Sequence, residues 1–478
     1  MDTTGNSAAF TIKQPSTPEE IQEIIEDMRS FYYSGSTRRL GIRLAQLEGM
    51  RQWLKSHEEE VLDALHSDLG KSHQEGYETE LGLVYDEIKM MTRKLRCWIR
   101  PKLVRTPIMN FPSTTTVYPQ PYGVAAILSP WNYPLQLCLL PMVDAIAAGN
   151  VVLVKPSKTS PHTGEIIQRM IDETFDPRYV HCLYNLPNLD DNMEKIDVDF
   201  MFFTGSPRVG KLIMHACADN LTPLVLELGG KSPVFIDKDA DLQRAGQRIA
   251  WGKCLNSGQT CVGPDYVLAH EDVVDELVKW LDHYIHEYFG NDILHNEQYP
   301  HMISQHHFER VCGLIDNRNP DAKVVIGGGR DADSLRIEPT VMTGITLDDP
   351  VMGQEIFGPV LPILTWKTVE EALEVPKHFG HPLACYIFSN SRSFQQKIIQ
   401  EQPYGGGCIN DVVIHVSNNS AGFGGFGESG MGEYHGKRGF DAFTHYKTVV
   451  RKYNFCELPI RNAPFEKWKF DIVKMLLR

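Results

Sequence analysis

The chain has 478 residues, of which 42% are hydrophobic, 23% charged and 10% aromatic, and its formal net charge is −14. The length exceeds the roughly 250 to 300 residues at which one hydrophobic core stops growing, and the composition is that of a globular protein, so a single small module and wholesale disorder are both excluded. The acidic charge argues against nucleic acid as a partner, because its phosphates repel a negative surface.

The N-terminal segment and the cysteines bear on location and metal content. Residues 1–14 lack the basic start and apolar stretch of a secretory signal, and no run of the sequence reaches the roughly 20 apolar residues that a membrane-spanning helix needs. We therefore expect a soluble, cytoplasmic protein. The ten cysteines form no C-x-x-C pair and no cluster with histidine at zinc-binding spacing, so reduced thiols and no bound metal are expected.

Helices are predicted for the first part of the chain, to about residue 100. Thr17-Pro18-Glu19-Glu20 has the pattern of a capping box with proline at the first helical position, and apolar residues then recur every three or four positions. Gly70-Lys71-Ser72 resembles the end of a phosphate-binding P-loop. Position 65 is leucine where that motif requires glycine, and no buried strand precedes it, so we reject a P-loop here.

After residue 120, short apolar strands alternate with helices, which is the pattern of a parallel sheet with crossover helices. The pattern predicts strands at 124–128, 151–155, 180–183, 200–203 and 224–228, and helices at 134–148, 160–174 and 209–218. The last of these helices is expected to bury Val209, Leu212, Ile213 and Ala216 on one face. This part of the chain therefore has the order of a Rossmann-like domain.

A second α/β series begins after Gly229-Gly230, so the fold class is α/β with more than one domain. The series is predicted to contain a strand at 233–236, helices around Ala245 and Val274, and a strand at 384–388. Beyond it we expect a flexible glycine-rich loop at 421–432, a strand at 447–453, and an amphipathic tail at 465–477 that is too short to span a bilayer.

Two segments at strand ends have features of dinucleotide binding. Gly205 and Ser206 stand between a predicted strand and a helix, where glycine allows close backbone approach and the free N–H groups of the helix attract a pyrophosphate. An ordinary helix N-cap gives the same pattern. Lys155 ends an otherwise apolar strand, and that end of a parallel sheet faces the ligand crevice, although a lysine at a surface turn also fits.

Three further segments carry residues suited to catalysis. Asn132 follows a strand and can direct its amide at an oxygen that gains negative charge, although proline and asparagine also form common turns. Glu227 closes an apolar strand, where a carboxylate is costly unless it is paired or functional. Cys261 follows a Gly-Gln-Thr turn near a helix end, where a lowered pKa would give a thiolate, although most cysteines are packing residues.

Taken together, these segments resemble the aldehyde dehydrogenase superfamily and occur in the order of that family. The matching series is Pro130-Trp131-Asn132-Tyr133-Pro134, Lys155-Pro156-Ser157, Phe203-Thr204-Gly205-Ser206, Glu227-Leu228-Gly229-Gly230-Lys231-Ser232-Pro233, Gly258-Gln259-Thr260-Cys261 and Glu355-Ile356-Phe357-Gly358-Pro359. The resemblance covers about residues 20 to 460. The short N-terminal region, with 429–437 and 440–445, is similar to class 3 members, which oxidise aromatic and medium- to long-chain aliphatic aldehydes, usually as homodimers.

The resemblance implies a mechanism that also meets the chemical needs of aldehyde oxidation. The thiolate of Cys261 would attack the aldehyde, and the Asn132 amide and the Cys261 backbone N–H would hold the thiohemiacetal oxyanion. After hydride transfer to the nicotinamide, Glu227 would be the general base that activates water to hydrolyse the thioester. Glu227 would also help to deprotonate Cys261.

The implied cofactor is NAD or NADP. The predicted cofactor-binding residues are Trp131, Lys155, Ser157, Lys158, Gly205, Ser206, Leu228, Glu355 and Phe357. By resemblance, Lys155 binds the adenosine-ribose hydroxyls, Ser206 the pyrophosphate and Glu355 the nicotinamide-ribose hydroxyls. Lys158 departs from the family, which often has glutamate there. Because a carboxylate repels a 2′-phosphate and an ammonium attracts it, we predict that NADP is accepted at least as well as NAD, the alternative being a solvent-facing Lys158.

The resemblance also divides the chain and leaves two rival functions. It implies a dinucleotide-binding domain at 15–101 and 121–225, a catalytic domain at 226–415, a β oligomerisation extension at 102–120 and 440–455, and a C-terminal tail at 456–478. A homodimer is expected, and the basic, apolar tail allows weak peripheral contact with a membrane. The rivals are a CoA-acylating relative, which Glu227 argues against, and a catalytically idle structural or binding protein on the same fold, which the three catalytic residues together argue against.

Overall fold

The computed structural model describes residues 17–184 and 196–477, so the expectations for residues 1–14 and for Arg478 lie outside the described residues. In these ranges the α-helices are α1 Pro18–Tyr33, α2 Leu40–Ser56, α3 Glu58–Leu69, α4 His73–Gly76, α5 Gly82–Trp98, α6 Gln136–Ala148, α7 Pro161–Thr174, α8 Pro207–Asn220, α9 Leu242–Cys254, α10 Val274–Phe289, α11 Gln305–Asp316, α12 Val369–Glu374, α13 Arg392–Glu401, α14 Gly436–Ala442 and α15 Lys467–Leu476. The predicted helical layer before residue 100 is thus present.

The strands follow the predicted alternation with helices. They are β1 Lys102–Val104, β2 Ser113–Pro121, β3 Val124–Leu128, β4 Val151–Lys155, β5 Val180–Cys182, β6 Phe200–Gly205, β7 Leu224–Leu228, β8 Pro233–Ile236, β9 Tyr266–His270, β10 Lys323–Ile326, β11 Arg330–Asp331, β12 Arg336–Ile337, β13 Thr340–Thr343, β14 Val360–Trp366, β15 Ala384–Phe388, β16 Gly406–Ile409, β17 Gly430–Met431 and β18 Thr444–Lys452. The strands predicted between 124 and 228 are all present, with small differences at their ends.

The described residues form four sheets, of which one is the two-stranded pair β11-β12. A six-stranded sheet has the order β17-β7-β6-β3-β4-β5, parallel from β7 to β5, with β17 antiparallel to β7 at its edge. A seven-stranded sheet has the order β10-β13-β14-β9-β8-β15-β16, and a small antiparallel sheet has the order β1-β2-β18. The α/β fold class, with a Rossmann-like sheet, a second α/β sheet and a β extension, is confirmed.

Continuous apolar runs explain why the six-stranded sheet lies at the core. The residues of β3 are all buried, and those of β4 are buried up to Lys155 at its end. A strand that is buried on both faces needs apolar residues at every position rather than at alternate ones. Helix α1 begins where the sequence predicts, because Thr17 caps it by accepting a hydrogen bond from the backbone N–H of Glu20 at 3.2 Å.

One helix presents a different face from the one predicted. Leu212 in α8 is 48% exposed, and the buried residues of that helix are Gly210, Ile213 and Cys217. The apolar pattern alone could not place this face, because α8 has apolar residues on more than one side and packing against the sheet decides between them.

The glycine-rich segment 421–432, which we predicted as a flexible loop, is mostly loop but ends in a two-residue strand. It contains β17, in which Gly430 pairs with Glu227 and Met431 with Leu226 of β7. At Gly430 φ is +131°, and an added Cβ would lie 2.0 Å from the carbonyl oxygen of Leu226, so this close approach requires glycine. The segment is glycine-rich because its backbone packs directly against the strand that carries Glu227.

The C-terminal tail forms α15 and leaves apolar side chains exposed, among them Phe465, Phe470, Met475 and Leu477. Among the described residues, no helix combines the length and apolar character needed to cross a bilayer. The same ranges contain no group of three or more histidine, cysteine, aspartate or glutamate side chains that could hold a metal ion.

Candidate active site

The predicted motifs meet at one cavity beside the carboxyl ends of β3, β6 and β7. This cavity, which we call the motif cavity, has a volume of about 240 Å³. Nine of the twelve predicted site residues line it: Trp131, Asn132, Gly205, Ser206, Glu227, Leu228, Cys261, Glu355 and Phe357. The remaining three are Lys155, Ser157 and Lys158, and Lys155 ends β4 directly beside Leu128, the last residue of β3.

A second cavity, of about 150 Å³, also has Cys261 in its wall. We call it the apolar cavity, because its lining includes Leu83, Trp251, Val262 and Ile414. Leu137, Cys261, Phe423 and Tyr434 line both cavities. The Cys261 thiol therefore lies where the motif cavity meets the apolar cavity.

The loop that carries Cys261 is held in a strained conformation. Asn256, Ser257 and Gly258 have φ values of +50°, +51° and +72°, a run of left-handed residues between the end of α9 and Cys261. At Gly258 an added Cβ would lie 2.2 Å from the carbonyl oxygen of Gly358. The loop thus packs backbone to backbone against the segment that carries Glu355. This contact explains why the Cys261 motif begins with glycine, at Gly258.

Asn132 is joined to the same loop through both its side chain and its carbonyl. Its Nδ2 donates to the carbonyl oxygen of Gln259 at 3.1 Å, and its own carbonyl oxygen accepts from Asn256 Nδ2 at 2.7 Å. Asn132 is buried in the wall of the motif cavity. Because an amide nitrogen carries two hydrogens, one remains for an oxygen atom in that cavity.

The structure does not support the lowered pKa predicted for Cys261. Burial raises the pKa of this thiol to about 12, with further contributions from the carboxyl groups of Glu355 and Glu227, although the backbone N–H groups of Val262 and Cys261 act in the opposite direction. The turn around Cys261 gave no sign of this, because both carboxyl groups come from other parts of the sequence. The thiol consequently needs a base before it can attack a substrate.

Glu227 has the properties of such a base. It is buried in β7, and, among the residues that the structure describes, neither of its carboxylate oxygens has a hydrogen-bond partner. Burial, followed by the charge of Glu433, raises the pKa of this carboxyl well above its ordinary value. An unpaired carboxyl of raised pKa is suited to take a proton from a thiol or a water at neutral pH.

Charged side chains that the sequence did not mark as functional hold the Glu355 segment. Arg310, in α11, donates to the carbonyl oxygen of Ile356 at 2.6 Å. Lys231 forms a buried ion pair of 2.5 Å with Asp265, whose other oxygen accepts from the backbone N–H of Ile356 at 2.9 Å. Arg310 also lines the motif cavity, and no local motif identifies it, because its contact depends on how α11 packs.

The residues present fit a dinucleotide. Among the described residues, Glu355 Oε1 is buried without a hydrogen-bond partner, and burial raises the pKa of this carboxyl to about 8. A ribose hydroxyl would supply the missing donor. Ser206 accepts a hydrogen bond from the backbone N–H of Val209 at 3.4 Å, so it is an ordinary N-cap of α8. Ser206 also lines the motif cavity, where the first N–H groups of α8 can bind a pyrophosphate.

Comparison with known proteins agrees with this arrangement. The model of the aldehyde dehydrogenase family matches residues 6–449. The 4,4'-diaponeurosporen-aldehyde dehydrogenase of Staphylococcus aureus (strain NCTC 8325 / PS 47) is 39% identical over 458 residues, which cover 96% of this chain and 99% of that protein. The dimeric NADP-preferring aldehyde dehydrogenase of Rattus norvegicus is 38% identical over 433 residues, covering 90% of this chain and 94% of that protein. A solved structure of the substrate-bound state of Staphylococcus aureus AldH superposes with a TM-score of 0.93 at 38% identity, covering 96% of this chain and 99% of that chain.

Proposed function

The chain belongs to the aldehyde dehydrogenase family and is an NAD(P)-dependent enzyme that oxidises aldehydes to carboxylic acids, and we propose that Cys261, Asn132 and Glu227 perform this reaction. The family that the motif order resembles is therefore confirmed. The observation that carries the assignment of residues is the position of Cys261 in the walls of both the motif cavity and the apolar cavity. A sulfur so placed reaches an aldehyde in one cavity and a cofactor in the other.

The reaction begins when Glu227 takes the proton of the Cys261 thiol and the thiolate attacks the aldehyde carbon. The Asn132 amide and the Cys261 backbone N–H donate to the carbonyl oxygen as it becomes negative. NAD(P)+, when bound, supplies the acceptor for the hydride that leaves the thiohemiacetal carbon. Glu227 passes the thiol proton to solvent before it activates the water that attacks the thioester, and the Cys261 thiolate leaves as the acid is released.

Cofactor binding is assigned to the residues of the motif cavity and of the neighbouring strand end. Glu355 binds the nicotinamide-ribose hydroxyls, which its unpaired Oε1 supports. Ser206 and the start of α8 bind the pyrophosphate, and Lys155 binds the adenosine ribose. Trp131 and Phe357, whose rings lie 5.5 Å apart, form a wall of the cavity.

The substrates are aromatic and medium- to long-chain aliphatic aldehydes, as the apolar lining of the second cavity supports. A panel from acetaldehyde to long alkanals and benzaldehydes, followed by cofactor reduction, is expected to show kcat/KM rising with chain length. The expected factor is about fourfold per methylene, until the cavity is filled, because each buried methylene contributes about 0.8 kcal/mol. A preference for acetaldehyde would contradict this assignment.

NADP is accepted at least as well as NAD because of Lys158, which is exposed in the turn after β4. The rat relative, named as NADP-preferring, supports this part of the proposal. The substitution Lys158→Glu is expected to lower kcat/KM for NADP at least about tenfold while kcat/KM for NAD changes less than about threefold, because an attraction for the 2′-phosphate becomes a repulsion. Steady-state kinetics with each cofactor measures both values.

A matched control for this charge reversal is Lys279→Glu, which changes an exposed lysine of α10 that lines neither cavity. It is expected to leave both kcat/KM values unchanged. A strong preference of the unmodified enzyme for NAD would contradict the proposal for Lys158.

The proposed assembly is a homodimer that pairs through the small β sheet. Support comes from β18, the last strand of that sheet, which exposes Val449 and Val450, and from the rat relative, which is named as dimeric. The domain limits drawn from the sequence, the cytoplasmic location and the weak membrane contact of the tail stay predictions.

A further inference from the structure

A lysine and a glutamate of the helical layer form a buried ion pair behind Asn132. Lys71 follows α3, in the segment that resembled a P-loop, and Glu80 lies in the π-helical turn Tyr77–Leu81 that leads into α5. Both side chains are 0% exposed, and Lys71 Nζ lies 2.6 Å from Glu80 Oε1. Desolvation makes such a pair a weak source of stability, since apolar residues of similar size often serve as well. The presence of this ion pair therefore needs an explanation other than stability.

The other side-chain hydrogen bonds of the pair, among the residues that the structure describes, go to the segment that carries Asn132. Glu80 Oε2 accepts hydrogen bonds from the backbone N–H groups of Leu135, at 2.9 Å, and Gln136, at 3.2 Å, where α6 begins. Lys71 Nζ donates to the carbonyl oxygen of Asn132 at 3.1 Å and lies 3.9 Å from the ring centroid of Tyr133. The pair thus holds this short segment on both sides of Tyr133.

The carbonyl of Asn132 connects this ion pair to the nucleophile loop. It accepts from Lys71 Nζ and also from Asn256 Nδ2, at 2.7 Å, while the Asn132 amide donates to Gln259 in the same loop as Cys261. Lys71 and Glu80 do not line either of the two cavities, so neither touches a substrate or a cofactor there. The pair can act on the reaction through Asn132, and also through Tyr133 and Gln136, which line the apolar cavity, so the test below removes the Asn132 amide to separate these routes.

We propose that Lys71 and Glu80 are positioning residues that fix the Asn132 amide where it meets the oxyanion beside Cys261, an inference that rests on the proposed role of Asn132. A donor to a developing oxyanion is worth about 10²- to 10³-fold in rate, and a displacement of about 1 Å can lose most of that factor. The ion pair supplies a fixed, charged anchor for the backbone of the donor residue itself.

The test combines removal of the ion pair with removal of the amide that it positions. The double substitution Lys71→Met with Glu80→Gln removes both charges without leaving one of them buried alone, and Gln retains an acceptor for the start of α6. In the otherwise unmodified enzyme it is expected to lower kcat about 10- to 100-fold, with the dissociation constant of NADP+ changed less than about twofold. In an Asn132→Ala background the same double substitution is expected to lower kcat less than about twofold, because the positioned amide is already absent.

A purely structural role would give a different result. In that case the double substitution would lower kcat by the same factor in both backgrounds, and this additivity would overturn the inference. If the double variant does not fold, as judged by its thermal unfolding transition, Lys71→Gln with Glu80→Gln, which also leaves no charge buried alone, is measured in the same two backgrounds and judged by the same criterion.

The controls separate this inference from the proposed function. Lys397→Met removes a surface lysine that pairs with Glu370, and it is expected to leave kcat unchanged in both backgrounds. If Asn132→Ala lowers the rate but the double substitution of the ion pair lowers it in neither background, only the inference is overturned. An unchanged rate in Asn132→Ala would instead reject the oxyanion role of Asn132 and, with it, the basis of both proposals.

Discussion

Replacement of Cys261 by alanine is expected to reduce aldehyde oxidation at least about 10⁴-fold, because without the sulfur no thiohemiacetal forms from which hydride can leave. Cofactor binding is expected to change less than about twofold, since the cofactor contacts assigned to Glu355, Ser206 and Lys155 do not involve the thiol. Steady-state rates of cofactor reduction and a fluorescence titration with NADP+ measure the two quantities separately.

Cys408→Ala is a demanding control for this substitution. Cys408 is also partly exposed, and its sulfur lies 3.6 Å from His415 Nδ1, an arrangement that resembles a nucleophile and its base. It lines neither cavity, so its replacement is expected to leave the rate within about twofold. Loss of activity in Cys408→Ala with retention in Cys261→Ala would reverse the assignment. A wild-type enzyme that binds NADP+ but oxidises no aldehyde would favour the idle structural rival.

The parts of the fold that follow local rules were predictable from the sequence. The strand at Val124–Leu128 and the strand at Val151–Lys155 are continuous apolar runs, and such runs are typical of parallel strands buried on both faces. Thr17 and Pro18 mark the start of α1 because N-capping and the proline position are set within one helical turn. The exposure of Leu212 could not be predicted in this way, because it depends on the orientation of α8 against the sheet.

The residues of the candidate site were found from the order of their motifs, but their electrostatics were not. The pKa of Cys261 is raised first by burial and then by Glu355 and Glu227, and only the tertiary structure creates this burial and brings these carboxyl groups to the thiol. Lys71 drew notice only through a P-loop resemblance that we rejected, and Glu80 gave no functional signal, because the backbone groups that they bind belong to a segment distant in sequence. A sequence shows which side chains are reactive, whereas the groups that hold them in place are often recognisable only from the folded chain.

Substitution of Glu227 by glutamine is expected to slow both halves of the reaction, because Glu227 is the proposed base for the Cys261 thiol and for the water. Thioester formation then lacks a base for a thiol of raised pKa, hydrolysis lacks a base for the water, and steady-state turnover falls at least about 10²- to 10⁴-fold. Rapid mixing is therefore expected to show slow cofactor reduction in the first turnover as well as in the steady state, with no burst. Glutamine keeps the shape of the side chain, which limits the change to the loss of an ionisable group.

Glu428→Gln serves as the control, because Glu428 lies in the glycine-rich segment near Glu227 but is exposed and pairs with His381. It is expected to show no loss of rate in the first turnover or in the steady state. Steady turnover at the wild-type rate in Glu227→Gln would exclude Glu227 as the water base. The same variant also tests the CoA-acylating rival: if wild-type turnover depends on added CoA and Glu227→Gln retains it, the thioester is passed to a thiol rather than to water. Because both oxygens of Glu227 are unpaired among the described residues, we expect water to be the acceptor.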